Sequence, residues 1–329
     1  MSALPQGSIS AVKILVTGGA GFIGSHLCDR LLARGDEVHA LDNLSLGRRE
    51  NVAHNLDHRA FRFIEADLLE IEPLRALFEA ERYDAVFHLA ANSDIERSAR
   101  ETDLDLRLTF LTTCNVAECA RRFGVGEVLF ASSSTVYGPH DRPLSERTGP
   151  FLPASLYGAA KLAAEGFLSA YASMFDLSVW ILRLPNVVGE RMTHGCVYDF
   201  INRLHEDPSR LVILGDGGQR KPYVHVEDVL DAVLLAWECS RDRINCFNIG
   251  TDSATSVSDI ARIVIEEMGL RDVCLEYTGG EGGWPGDVPR FQYDSSKIHA
   301  LGWRARHISD EAIRAAVRAT VKGEAAAGK

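Results

Sequence analysis

A short apolar strand that runs directly into a glycine-spaced turn constrains this chain more than any other feature. Lys13–Thr17 is followed at once by Gly18, Gly21 and Gly24, and apolar residues at helical spacing continue through Leu27 and Leu31. The first glycine permits a tight turn, the second lets the backbone approach a pyrophosphate, and the third lets helix and strand pack closely. Free amides and the dipole at the start of such a helix favour phosphate. The first half of the chain repeats the alternation. Strands are predicted at Lys13–Thr17, Glu37–Leu41, Phe61–Glu65, Ala85–His88, Glu127–Ser132 and Ser178–Leu182, with helices at Gly24–Ala33, Ile71–Glu79, Leu108–Phe123 and Tyr157–Phe175. That order implies βαβ units and a parallel sheet covered on both faces.

Regularity weakens beyond Gly189. Gly215–Gly218 and Gly279–Gly286 are turn-rich, and helices are expected at Glu227–Cys239 and Val257–Met268 between them. The expected architecture is α/β: a Rossmann-type doubly wound parallel sheet with a smaller mixed α/β substrate-binding lobe. Residues 12–184, with about 223–250, make the first unit, and 185–222 with 251–321 make the lobe. Residues 322–329 are small and polar and are expected to fray.

Composition removes several function classes. A formal net charge of -11 argues against a nucleic-acid or anionic-membrane partner, because phosphates would be repelled. The cysteines (Cys28, Cys114, Cys119, Cys196, Cys239, Cys246, Cys274) are scattered without a C-x-x-C pair, so neither a metal site nor a disulfide framework is expected. The opening MSALPQGSISAVK lacks the basic region and apolar run of a signal peptide, and no apolar stretch approaches the roughly 18 residues of a membrane span. A cytoplasmic, soluble protein is expected.

Asp42 ends the second strand, 18 residues after Gly24. An acid there can hydrogen-bond both ribose hydroxyls of NAD and would repel a 2′-phosphate, so NAD is favoured over NADP. Arg48 and Arg49 read as solvated loop cations. Asp67 and Leu68, after the third strand, are placed near the adenine, or Asp67 caps its loop.

A second constellation lies downstream. Ala131–Gly138 reads ASSSTVYG, a strand end whose polar residues face the crevice where ligands bind. Tyr157 then opens a helix and Lys161 follows one turn later on the same face. A phenol titrates near 10, too high for a base at neutral pH, but a neighbouring ammonium and a positive nicotinamide ring would both lower it. A serine hydroxyl would orient the same substrate oxygen.

TGGAGFIGSHL, LDNLS, HLAA at His88–Ala91, SSSTVYG, YGAAK, RLPNVVG, KPYVHVED and GWPGDVP together resemble the extended short-chain dehydrogenase/reductase family, and within it the UDP-glucose (UDP-galactose) 4-epimerases. The resemblance implies Tyr157 as acid/base, Lys161 as its electrostatic partner and ribose anchor, and Ser133 rather than Ser134 as the catalytic serine. It implies cofactor contacts from Gly18, Gly21, Phe22, Ile23, Gly24, Asp42, Asn43, Asp67, Leu68, Leu89, Ala90 and Ala91, and a UDP-sugar held by Ser133, Ser134, Asn186 and Asp287. Where dehydratases of this family carry Asp-Glu, Ser134-Thr135 stand here, and decarboxylases carry Glu at the place of Thr135. A family arginine is replaced by Trp284 and another by Lys221, so Lys221, Arg220 or Arg203 is expected to supply the missing charge. Arg191 is the candidate cation for a uronic acid, and Phe291 stands where the sugar's 2-position is gated, which suggests plain hexoses. The pair Leu104–Arg122 and Tyr157–Phe175 resembles a four-helix homodimer interface. The implied activity is NAD-dependent 4-epimerisation of a UDP-hexose. A 4-epimerase of UDP-glucuronic acid or a UDP-N-acetylhexosamine, a nucleotide-sugar oxidoreductase or dehydratase, and a non-catalytic NAD-binding sensor are the alternatives.

Overall fold

The computed structural model describes residues 11–326, with 281 and 285 excepted. Its first half runs β1 (Lys13–Thr17), α1 (Phe22–Arg34), β2 (Glu37–Asp42), β3 (Phe61–Glu65), α2 (Ile71–Glu81), β4 (Ala85–His88), the single turn α3 (Ile95–Ser98), α4 (Thr112–Phe123), β5 (Glu127–Ser133), α5 (Leu156–Met174) and β6 (Ser178–Leu184). The second half follows with β7 (Asn186–Val188), α6 (Cys196–Glu206), β8 (Arg210–Ile213), β9 (Arg220–Lys221), β10 (Tyr223–His225), α7 (Val226–Cys239), β11 (Ile244–Asn248), β12 (Thr255–Ser256), α8 (Val257–Glu267), β13 (Cys274–Tyr277), α9 (Ser296–Ala300) and α10 (Ser309–Ala326).

Seven strands form one parallel sheet in the order β11-β6-β5-β4-β1-β2-β3. Ile14 and Val16 of β1 face a core built with Leu27 and Leu31 of α1 and Leu230 and Val233 of α7. Leu15 faces the opposite core, with Phe78, Val116 and Leu168 from α2, α4 and α5. A strand buried on both faces must be apolar throughout, which is why β1 reads as a continuous run rather than an alternation. The strand order reverses between β1 and β4, and the crevice this leaves at their carboxyl ends is where ligands bind in such sheets.

A third core gathers Phe200, Ile201, Ile260, Val264, Ile313 and Val317 from α6, α8 and α10. The short strands beside it pair two by two: β7 with β10 and β8 with β13 in parallel, β9 with β12 antiparallel. From there the chain returns to the large sheet through α7 and the edge strand β11. Ile298 of α9 and Trp303 also pack into the sheet's core, although both lie within 251–321.

Helix α10 continues to Ala326, with Ala312, Ile313, Ala316 and Val317 burying one face and Val321 packed beside them. Residues 327–329 lie outside the described part. One expectation requires correction. The helix expected over Leu108–Phe123 is α-helical only from Thr112; Leu106–Leu111 forms a π-helical segment. Threonines explain the change: the Thr113 hydroxyl donates to the Thr109 carbonyl at 2.6 Å, and that of Thr112 to the Leu108 carbonyl at 2.9 Å. Such back-bonding competes with the regular ladder and bends helices. Among the described residues no helix is long and apolar enough to cross a membrane.

Candidate active site

The glycine turn is shaped by contact rather than by flexibility alone. A Cβ on Gly24 would lie 2.1 Å from the Gly18 carbonyl oxygen, and one on Gly18, at φ +70°, would lie 2.7 Å from the Ala90 amide nitrogen. Helix α1 therefore presses onto the turn, and the turn onto Leu89–Ala90 at the end of β4. The first i→i−4 bond of α1 runs from Ser25 to Gly21, so the amides of Phe22, Ile23 and Gly24 precede the ladder. Neither a side-chain cap nor an acid occupies that first turn. Asp42 accepts from the Ala20 amide at 3.0 Å and the Leu44 amide at 2.9 Å. Burial raises its carboxyl pKa against these donors. A glycine is required over it at Gly47, where a Cβ would meet both carboxylate oxygens at 2.7 Å.

Asp67 caps its own loop, accepting from the Leu69 amide at 2.9 Å, and also takes the Asn43 amide at 3.2 Å. Leu68 is buried, and its carbonyl accepts from Asn115. Arg49 is tied to Glu65 at 3.3 Å, while Arg48 reaches the Tyr198 hydroxyl. An uncapped helix start, a close-packed glycine turn and an acid at the end of β2 fit a dinucleotide.

Helix α5 brings the second constellation to the same crevice. Ser155 caps it by accepting from the Gly158 amide at 3.1 Å, and Gly158 lets it approach the Thr135 carbonyl, 2.6 Å from where a Cβ would sit. Ser133 stands beside the Tyr157 phenol and lowers its pKa, and the Ser133 hydroxyl receives Thr135 Oγ1 at 3.0 Å. Lys161 Nζ lies 5.7 Å from the Tyr157 ring centre and donates to the Ala131 carbonyl at 2.6 Å. Ser132, by contrast, donates to Glu165 and is committed to the framework. Burial of the Tyr157 phenol end pushes its pKa up to about 12, although the residue as a whole is partly exposed; Ser133 opposes the shift and the charge of Asp105 adds to it. Burial pulls Lys161 down to about 7 against the upward pull of Asp105 and Glu165. An ammonium that gives up its charge so easily and points at a carbonyl does not by itself make the phenol a base.

Sequence reasoning missed the polar framework beneath this pair. Arg183 grips Glu165 at 2.7 and 3.0 Å and donates to the Tyr137 hydroxyl, which in turn donates to Asn248 at 2.7 Å. Arg183 and Asn248 stand at the ends of β6 and β11, Glu165 in the middle of α5, and Tyr137 on the turn after β5. The only trace they leave in the sequence is a charged or amide residue inside an apolar run.

Next to Ser133 opens a cleft lined by Ser134, Thr135, Asn186, Lys221, Asp287 and Phe291, with Ile95 and Trp284 on its walls. Lys221 pairs with Asp287 and lies 4.9 Å over the Trp284 ring, and Asp287 also accepts the Gly283 amide. Phe291 packs edge-on to Tyr293. Three expected cations do not line this cleft. Arg191, at φ +64°, turns away to Asp29 at 2.8 Å and Ser25 on α1; Arg203 donates to the Val212 carbonyl; Arg220 is exposed on β9.

A profile of the NAD dependent epimerase/dehydratase family matches residues 14–250. The UDP-glucose 4-epimerase of Mycolicibacterium smegmatis is 35% identical over 92% of this chain and 96% of its own. A crystal structure of UDP-galactose 4-epimerase superposes with a TM-score of 0.84 at 39% identity, covering 94% of this chain and 99% of the other. MoeE5, solved with UDP-glucuronic acid and NAD, superposes with a TM-score of 0.83 at 34% identity over 94% of this chain and 99% of its own.

Proposed function

Because the chain belongs to the NAD dependent epimerase/dehydratase family, we propose that it interconverts UDP-galactose and UDP-glucose at C4 of the hexose. The observation that carries this reading is Ser133 set beside the Tyr157 phenol, next to a cleft whose Ser134-Thr135 corner holds no further acid or base among the described residues. Inversion at C4 through a 4-keto sugar needs one group that takes a proton and gives it back. Dehydration needs a second to protonate the leaving hydroxyl. Bound NAD supplies reversible oxidation at C4.

In this reading Tyr157 Oη removes the proton of the 4-hydroxyl and later returns it, Ser133 orients the same oxygen, and Lys161 favours the phenolate. Gly18, Gly21, Phe22, Ile23 and Gly24 hold the cofactor diphosphate, and Asp42 and Asn43 hold its ribose. Asp67, Leu68 and Leu89–Ala91 line the remainder of the cofactor cleft. Asn186, Lys221 and Asp287 hold the nucleotide of the substrate, Ser134 faces the sugar, and Phe291 favours a plain hexose.

A second reading, 4-epimerisation of UDP-glucuronic acid, draws support from the likeness to MoeE5. It is the weaker one because Arg191, its candidate carboxylate partner, is held by Asp29. A homodimer completes the proposal. Leu106 and Leu111 beside α4, with Phe167 and Met174 on α5, leave an apolar face 40–72% exposed that suits a second copy.

The test is NMR of the purified protein with UDP-galactose, UDP-glucuronate and UDP-N-acetylglucosamine in turn, without added NAD. Equilibration of UDP-galactose with UDP-glucose is expected. Turnover of UDP-glucuronate or UDP-N-acetylglucosamine alone would keep the mechanism and replace the substrate. No reaction with any of them, even with NAD supplied, would sink the epimerase reading.

A further inference from the structure

Asp105 lies at the start of the π-helical segment and is 2% exposed. One of its oxygens accepts the Asn92 amide at 2.9 Å; the other, Oδ2, is buried without a hydrogen-bond partner among the described residues. Buried carboxylates are ordinarily paired or fully hydrogen-bonded, so an exception asks for a reason. Two nearby arginines are committed elsewhere, Arg97 to Glu101 and Arg107 to Asp103. Across the packing of the π-helical segment on α5 stands Lys161, also 2% exposed, with its hydrogen bond directed to the Ala131 carbonyl.

The other groups around Lys161 do not match its charge. Glu165, one turn along α5, is neutralised by the two-point grip of Arg183 from β6. His88 on β4 is held between the Thr17 and Thr113 hydroxyls, at 2.7 and 3.0 Å, and burial keeps it neutral. Ser133 on β5 and Tyr157 carry no charge in this state. Asp105 and Lys161 are thus buried opposite charges on adjoining elements, and among the described residues neither is in an ion pair within 4 Å.

We infer that Asp105 is the counter-ion of Lys161 and a positioning residue of the active site, holding the ammonium charged beneath Tyr157. The inference rests on the reading of Tyr157 and Lys161 as the acid/base pair. It gives the buried, unpartnered carboxylate a role, and it agrees with the upward pull of Asp105 on the pKa of both residues. One carboxylate keeps the lysine protonated and holds the tyrosine in its acid form.

The chain has six lysines, Lys13, Lys161, Lys221, Lys297, Lys322 and Lys329, few enough to follow each by NMR after ¹³Cε-lysine labelling, with Lys161→Arg to assign the signal. In the ligand-free protein Lys161 is expected to titrate near 7. In Asp105→Asn its midpoint falls by roughly one pH unit or more, the usual effect of removing a nearby opposite charge. The alkaline limb of kcat/KM for UDP-galactose falls with it, while affinity for UDP stays within twofold. An unchanged Lys161 midpoint overturns the inference. This titration needs no substrate, so it stands apart from failure of the unmodified protein to turn over UDP-galactose, which would count against the epimerase reading instead. Should Asp105→Asn not fold, Lys161→Met serves. It strands the carboxylate, so its stability relative to the unmodified protein should rise as pH falls from 7 to 4, and parallel curves overturn the inference.

Discussion

A phenol that releases its proton only near pH 12 works as a base at neutral pH only when something stabilises the phenolate, and Ser133 and Lys161 are the groups placed to do so. Tyr157→Phe keeps the ring and removes the proton carrier. Its kcat for UDP-galactose is expected to drop by roughly 10²–10⁴-fold, the typical contribution of a positioned acid/base, with UDP affinity unchanged by calorimetry. A loss under tenfold would move the role elsewhere. At this scale the sequence is most legible where spacing alone sets geometry. Tyr157 and Lys161 share a face because they are four apart on a helix. Lys221 and Asp287 are 66 residues apart, and that separation gives no hint that they pair. The left-handed backbone of Arg191, which aims it at Asp29, leaves no mark in composition.

Among the elements, the turn from β1 to α1 tolerates little. Gly24→Ala would drive a methyl into the Gly18 carbonyl and push the helix off the strand. The expected outcome is a loss of bound NAD, read by absorbance after acid release, together with a Tm lower by several degrees. Retention of full NAD content would show that the turn can relax. On α10, Ile313→Ala removes a fully buried side chain between α10 and α8 and should cost about 2–5 kcal/mol in urea unfolding, leaving UDP-galactose turnover per folded molecule unchanged. Strands of the large sheet were legible because each is a short apolar run between turn signals. Strands β7, β9, β10 and β12 have only two or three residues, too few for any periodicity. The π-helical segment escaped because its cause is hydroxyl-to-carbonyl bonding, which the apolar pattern does not record.

Over the whole molecule, acid stability carries the mark of one buried histidine. His88 joins β1 to α4 through Thr17 and Thr113, and burial pulls its pKa down to about 3. On acidification the unfolded chain binds a proton near 6.5 and the folded one only near 3, so the stability this group contributes is complete above 6.5 and drains away between those values. At 1.36 kcal/mol per pH unit the loss is at most about 5 kcal/mol. His88→Gln should flatten the fall of Tm between pH 6.5 and 4; an equally steep fall would place the acid sensitivity in the carboxylates. The doubly wound sheet was legible at this scale. The return of α9 and Trp303 to the first core was not, because nothing local says which of two cores an apolar residue will join.

The ion pair at the cleft has a consequence for what the protein admits. Lys221 already has an anion, Asp287, so the resting wall is electrically quiet although the chain carries a net charge of -11. An incoming phosphate that draws Lys221 away leaves Asp287 bare in a poorly hydrated place, a penalty of several kcal/mol unless the same ligand brings hydroxyls to satisfy it. Inorganic pyrophosphate brings none; a nucleoside diphosphate brings a ribose. The pair acts as a two-key lock, in which charge alone turns one key and the sugar of the nucleotide the other.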